Sequence, residues 1–338
     1  MTRSRFILLL AAASLLASPL SAHEFSLKVY GGWRLASGGD LNASIRGWRD
    51  YYADRSSASF SSSFAWSEMT GGLDAGAELG LALSGRLSLG LGVGIMPGVT
   101  AGDISTESST RQTTVLSGSS SKTVAVEEST SRTPRAELTA VPVLLTAYYR
   151  LTQGDRLSLY AGGGGGAYLA RYSYSEPYEY DFSYVEDLTS SGSTSRYVDQ
   201  STVSGKYLEE AQNVRWGVHG LVGLEYKVAG SLAAVLEVLG RWVTGGPWEG
   251  SKTDAYDWSH TWGPWGGYTD SGTVDETSDG ELWRVEAVSD VTGKTYPRLV
   301  FSEKQPTGSG YASARRADLG LSGVAVRLGI RMRFGGRR

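Results

Sequence analysis

Eight stretches of this chain alternate apolar and polar side chains with period two, and the connections between them are short and long in strict turn. The stretches lie at about 25–36, 70–84, 86–97, 137–151, 156–171, 213–228, 231–244 and 317–334. Three connections are tight: Ser84-Gly85-Arg86, Thr152 to Asp155, and Ala229-Gly230. Four are long, at about 37–69, 98–136, 172–212 and 245–316. Period two belongs to a strand with two unlike faces and excludes a helix. In the second stretch Leu73, Ala75, Ala77, Leu79, Leu81 and Leu83 oppose Asp74 and Glu78. In the seventh, Leu232, Ala234, Leu236, Val238 and Trp242 oppose Glu237 and Arg241. In 137–151 both parities are apolar, with Val141, Val143, Leu145, Ala147 and Tyr149 taken as outward. Within 156–171 the run Gly162 to Gly166 erases the phase, which reads as a kink or as room for bulky neighbours. Each stretch is long enough to cross a bilayer as a tilted strand, which takes about 9–11 residues.

A soluble barrel would also alternate, so the direction of the apolar face has to come from elsewhere. Outward aromatics sort by height: Phe25, Tyr149, Tyr226 and Phe334 fall near the short turns, and Trp33, Trp216 and Trp242 near the long connections. Two aromatic girdles around an aliphatic band are what membrane interfaces select. The opposite face mixes charges that can pair across a lumen: Lys28, Arg34, Asp74, Glu78, Arg215, Glu225, Glu237, Arg241, Arg327 and Arg331, with His219 among them. Residues 1–22 have Arg3 and Arg5, an apolar run from Phe6 to Ala17, Pro19, and small residues at Ser21-Ala22, the signature of a secretory signal peptide. Residues 23–338 are then the mature, exported chain. Closure of the strands would satisfy the backbone hydrogen bonds that lipid cannot.

Composition removes several function classes. The chain has no Cys and three His among 338 residues, so thiolate metal sites are impossible and no multi-histidine metal centre is expected. A net charge of −3 lacks the basic excess of a nucleic-acid binder. No cofactor is expected. The Gly162 to Gly166 run is not followed by a helix pattern or by Lys-Ser/Thr, which argues against a phosphate loop.

The expected fold is therefore all-β: an eight-stranded antiparallel up-and-down transmembrane β-barrel with long extracellular loops and both termini in the periplasm. The strand set, with the terminal stretch Val324 to Phe334 closing on an aromatic, resembles the small outer-membrane β-barrels of the OmpA/OmpX/OmpW type. That resemblance implies a cell outer-membrane location in a Gram-negative-type envelope, and a last strand read by the barrel-assembly machinery. Outer-membrane lipid is the expected surrounding, and a monomer the expected state.

Candidate chemistry is sparse. His219 has no Ser or acid that can be placed beside it, so a lipid A or phospholipid hydrolase is the weaker reading against a lumen hydrogen-bond network, and no enzyme is expected. Between 248 and 283, Trp248, Tyr256, Trp258, Trp262, Trp265, Tyr268 and Trp283 are interleaved with Asp254, Asp257, His260 and Asp270. The first six are the candidates for contact with a surface ligand, since aromatics at this density can stack on sugars or hold a partner. Alternatively they form the small core that a connection of about 70 residues needs, built on extra strands above the membrane. Residues Asp275 to Glu281 resemble a calcium loop only loosely, and the Ser/Thr-rich run 104–133 reads as a polar hairpin or mobile loop. An eight-stranded interior is nearly filled by side chains. The leading expectation is a structural or surface-interaction protein, and the alternative a narrow conduit for small or hydrophobic solutes.

Overall fold

The computed structural model describes residues 24–335 apart from 56 and 58, so the export segment 1–22 lies outside the described residues. Strand β1 (Phe25–Ala36) leads into helix α1 (Gly39–Arg55) and a short β2 (Phe60–Phe64). The chain continues through β3 (Gly71–Ala82), β4 (Leu87–Ala101), β5 (Ile104–Ser117), β6 (Ser120–Arg132) and β7 (Arg135–Arg150). Two very long strands, β8 (Leu157–Ser190) and β9 (Ser193–Ala229), form one hairpin. They are followed by β10 (Leu232–Thr244), β11 (Glu249–Pro264), β12 (Tyr268–Val288), β13 (Thr295–Ser302), β14 (Tyr311–Arg316) and β15 (Gly323–Phe334).

Among the described residues, all fifteen strands belong to one sheet. Antiparallel pairings close a ring through β1, β3, β4, β7, β8, β9, β10 and β15, which returns to β1. The sheet does not stop there. β6 adds to the upper part of β8, with β5 and β2 beyond it, and β11 adds to the upper part of β9, with β12, β13 and β14 beyond it.

This corrects the expected architecture. The fold is all-β and antiparallel, but it is a fifteen-stranded sheet and not an eight-stranded barrel carrying loops. The ranges 37–69, 98–136, 172–212 and 245–316 hold a helix and strands. In 172–212 the strand signal is Tyr, seven times in 41 residues, a side chain that suits a pleated surface.

The outward face changes character along β8 and β9. Outward positions on β9 are Tyr226, Leu224, Val222, Val218, Trp216 and Val214, all exposed, and then Gln212, Glu210, Lys206 and Ser204. On β8 the change falls between Leu169 and Arg171, which pair with Val214 and Gln212, so the edge is level across the hairpin. Below that edge Leu79 is 65% exposed and Leu328 66%, whereas Glu78 is 7% and Arg327 3%. Apolar side chains thus face out and ions face in. Small residues make room for large inward ones: a Cβ at Gly223 would stand 2.3 Å from the Tyr160 ring, and one at Gly162 3.0 Å from the Tyr148 ring.

Helix α1 folds in over the ring. Gly38 and Gly39, at φ of 62° and 54°, turn the chain out of β1. Asp40 sits in the first turn, where a carboxylate suits the helix dipole, and accepts hydrogen bonds from Arg315 (2.6 Å) and from the Asp318 backbone N–H (2.7 Å). Asn42 donates to the Met69 carbonyl and accepts from the Met69 N–H, both at 2.8 Å. Leu41, Ile45, Trp48 and Tyr52 share one stripe at helical spacing. That stripe meets Met69, Met96, Leu138, Tyr168, Trp248, Phe301, Leu319 and Leu321 in one buried apolar cluster. Burying a side chain such as Leu41 or Ile45 is worth about 1.5–3 kcal/mol. The cluster roofs the lumen.

Candidate functional site

Polar chemistry gathers in the lumen below the roof and in a cavity above it. In the lumen, Lys28 Nζ lies 2.8 Å from Glu237 and 3.2 Å from Glu78. Tyr148 donates to Glu78 at 2.6 Å and Tyr160 to Glu237 at 2.8 Å. Asp74 accepts from both Arg241 and Arg327, the latter at 3.0 Å. Toward the short turns, Glu225 holds Arg331 at 2.6 Å and also Arg333. Near the roof, Arg215 pairs with Asp318 at 2.6 Å and its guanidinium stands 5.2 Å from the Trp248 ring centroid. His219 Nε2 is 2.9 Å from the Thr146 hydroxyl. Arg34 is buried with no hydrogen-bond partner on its three nitrogens. All eleven charge and histidine candidates read from the sequence therefore point inward and are buried or nearly so.

An apolar band facing out around paired ions is the arrangement that lipid demands and water forbids, since unpaired charges and exposed backbone are both costly in hydrocarbon. The protein is an outer-membrane β-barrel. The exposed Trp33, Trp216 and Trp242 at the upper edge and Tyr149, Tyr226 and Phe334 at the lower edge flank its band.

Above the roof the inward face turns aromatic. Even-numbered residues of β8 continue inward as Tyr172, Tyr174, Glu176, Tyr178, Tyr180, Phe182 and Tyr184. With Trp48 of α1, Trp66, Tyr207 and Glu209 of β9, Lys252 and Asp254 of β11, Arg132 of β6 and Leu299 to Phe301 of β13, the lower part of this row encloses a cavity of about 470 Å³. Carboxylates in its wall are held by hydroxyls: Tyr207 donates to Glu209 at 2.7 Å, Tyr178 to Asp254 at 3.0 Å, and Tyr174 to Glu176. Arg132 pairs with Glu176 at 2.8 Å. Burial pushes the Glu209 carboxyl up to about 7, against the stabilising tyrosine hydroxyls. Burial, with the Asp254 hydrogen bond, pushes the Tyr178 hydroxyl up to about 12, so it stays a donor. Burial also lowers the Arg298 guanidinium to about 10; it stacks 3.2 Å from the Trp48 ring centroid and braces that wall.

The six aromatics singled out in the sequence lie elsewhere. Trp248 is fully buried in the roof cluster. Tyr256, Trp258 and Trp262 are half-buried on the inward face of β11, above Lys252 and Asp254. Trp262 stacks between His260 (4.8 Å) and Tyr268 (6.0 Å), and His260 is 2.7 Å from Asp199. Trp265 and Tyr268 are exposed at the far tip, where Trp265 has a φ of 58°. None of the six lines the cavity. The cavity residues that went unnoticed had a signal of their own, the period-two aromatic run from Tyr172 to Tyr184 in a segment read as a loop.

No family model matches the sequence, and no curated protein does either. Among solved structures the chain is similar to a FadL homologue of Pseudomonas aeruginosa, at 9% identity and a TM-score of 0.19, covering 94% of this chain and 91% of that one. It is also similar to OmpT, an outer membrane protein of Vibrio cholerae, at 12% identity and a TM-score of 0.09, covering 93% of this chain and 100% of that one. Scores this low carry no argument about function. The resemblance to the small eight-stranded OmpA/OmpX/OmpW type is overturned, because the described residues form a fifteen-stranded sheet.

Proposed function

We propose that the protein captures a small ligand at the cell surface in a non-enzymatic role, with the membrane band as its anchor. One observation carries the reading. An aromatic cavity of about 470 Å³, within the ~300–1,000 Å³ typical of small-molecule sites, stands over a lumen filled with ion pairs. A conduit needs an open axis, and this axis is crossed by the Lys28–Glu78–Glu237 and Asp74–Arg241–Arg327 groups beneath an apolar roof. A hydrolase needs a nucleophile and an acid beside its histidine, and the hydrogen bond on the His219 ring is to Thr146, beneath that roof. The ring of strands closes within one chain, which supports a monomer.

Two measurements test this. In planar bilayers the purified protein is expected to be silent; steady conductance would return the conduit to first place. Titration calorimetry with panels of neutral oligosaccharides, quaternary amines and fatty acids is expected to find one class that binds wild type and not Val300→Trp, a variant that fills the cavity. If no panel member distinguishes the two proteins, surface capture at this site is wrong.

A further inference from the structure

We propose that the cavity recognises a neutral saccharide; this rests on the ligand-binding reading above and narrows it to one chemical class. Three features of the wall have to be met by a single ligand. The first is aromatic area: Trp66 and Tyr174 lie with ring centroids 6.0 Å apart, Tyr174 and Tyr207 6.1 Å apart, and Trp48 faces the same space. Such rings offer flat apolar faces of the size of a pyranose ring.

The second is acceptor capacity. Asp254 receives the Tyr178 hydroxyl, and an ionised carboxylate has about four lone-pair sites, so capacity remains there for further donors. The third is an unused donor. Trp66 is 7% exposed, lines the cavity, and its indole N–H has no hydrogen-bond partner. A buried donor left unpaired is costly, so a ligand that supplies an acceptor there gains from it.

A sugar meets all three at once. Its C–H face stacks on rings, and each hydroxyl both donates to a carboxylate and accepts from an N–H. The carboxylate of a fatty acid could accept the Trp66 N–H, but it has no hydroxyl to donate to Asp254. A quaternary amine would suit the wall carboxylates and the rings, but it has nothing to accept the Trp66 N–H and it would meet Arg132 and Lys252.

The test is calorimetry on the full-length detergent-solubilised protein with neutral oligosaccharides of two to four hexose or N-acetylhexosamine units. At least one is expected to bind. Trp66→Phe, which keeps an aromatic face and removes the N–H, is expected to weaken it about five- to tenfold. Asp254→Asn is expected to weaken it similarly, and Val300→Trp to abolish it. Heat-modifiable gel migration checks that each variant folds. If saccharides fail to bind, or bind equally to Trp66→Phe and Val300→Trp, the saccharide assignment is overturned. If instead amines or fatty acids bind in a Val300→Trp-sensitive way, it is overturned while surface capture stands. If no class does, both fall together.

Discussion

Strands β8 and β9 pass through two environments without a break, and the comparison of their lower and upper parts is instructive. In the lower part the outward positions are Leu169, Val214, Trp216, Val218 and Val222, and the inward side holds Arg215, His219 and Glu225. In the upper part the outward positions are Arg171, Ser204, Lys206 and Glu210, and the inward side holds Tyr172, Tyr174, Tyr178 and Tyr207. Parity and pairing stay the same; only the side that must be apolar changes. Lipid outside forces grease outward and lets ions pair within. Water outside reverses the demand, and the interior becomes an aromatic core with room for a ligand. The surrounding solvent therefore writes the pattern onto a continuous sheet.

The sharpest way to break this comparison is to unpair the ionic interior. Asp74 is fully buried and holds both Arg241 and Arg327, so Asp74→Ala is expected to cost about 3–5 kcal/mol. Urea unfolding of vesicle-folded protein would measure it, and a change below 1 kcal/mol would mean that water screens the lumen.

The next pair uses one strand and one parity. Val222→Arg, on the lipid side of β9, is expected to cost about 2–4 kcal/mol near the band centre, and Ser204→Arg, outward on the same strand above it, no more than ~0.5 kcal/mol. Equal costs by the same unfolding assay would place both positions in one solvent.

Glu209 belongs only to the upper half. Its carboxyl is raised from 4.5 to about 7 by burial, so folding favours the protonated form. That contribution is fully present below pH 4.5 and is lost as pH rises through about 7. Wild type should therefore lose stability relative to Glu209→Gln, on the order of 3 kcal/mol at most, between pH 4.5 and 8.5. A gap independent of pH would contradict the burial assigned to this side chain.

The smallest effect is expected at the boundary. Arg171 and Glu210 pair at 2.9 Å with side chains 65% and 59% exposed. A double-mutant cycle should give about 0–1 kcal/mol, diminished by salt. A larger coupling would put this level inside the lipid.

Legibility followed the same divide. The band was readable because Leu79 opposite Glu78, or Val238 opposite Glu237, is an arrangement that period two makes plain. The upper half of the β8–β9 hairpin reads as a loop because Ser, Thr, Glu and Asp on one parity look like loop composition when the row of Tyr172 to Tyr184 on the other parity is not counted. Helix α1 was missed in the same way: Leu41, Ile45, Trp48 and Tyr52 have helical spacing, but they fall in a short stretch between two barrel strands. In the site itself, Trp248 looked like a contact residue and is core, while Trp66 and Glu209 drew no attention.

Local alternation, read along the chain, determined which segments are strands in the band, which way each side chain there points, and which charges share the interior. It could do so because lipid imposes its demand on every residue separately. Only the tertiary structure decided that the long connections extend the sheet to fifteen strands, that α1 and Leu319 close the mouth, and that Trp66, Tyr174, Tyr207 and Glu209 meet around one cavity. Contacts such as Trp66 with Tyr174, or α1 with Leu319, join residues more than a hundred positions apart, and no local period records which distant side chains will pack together.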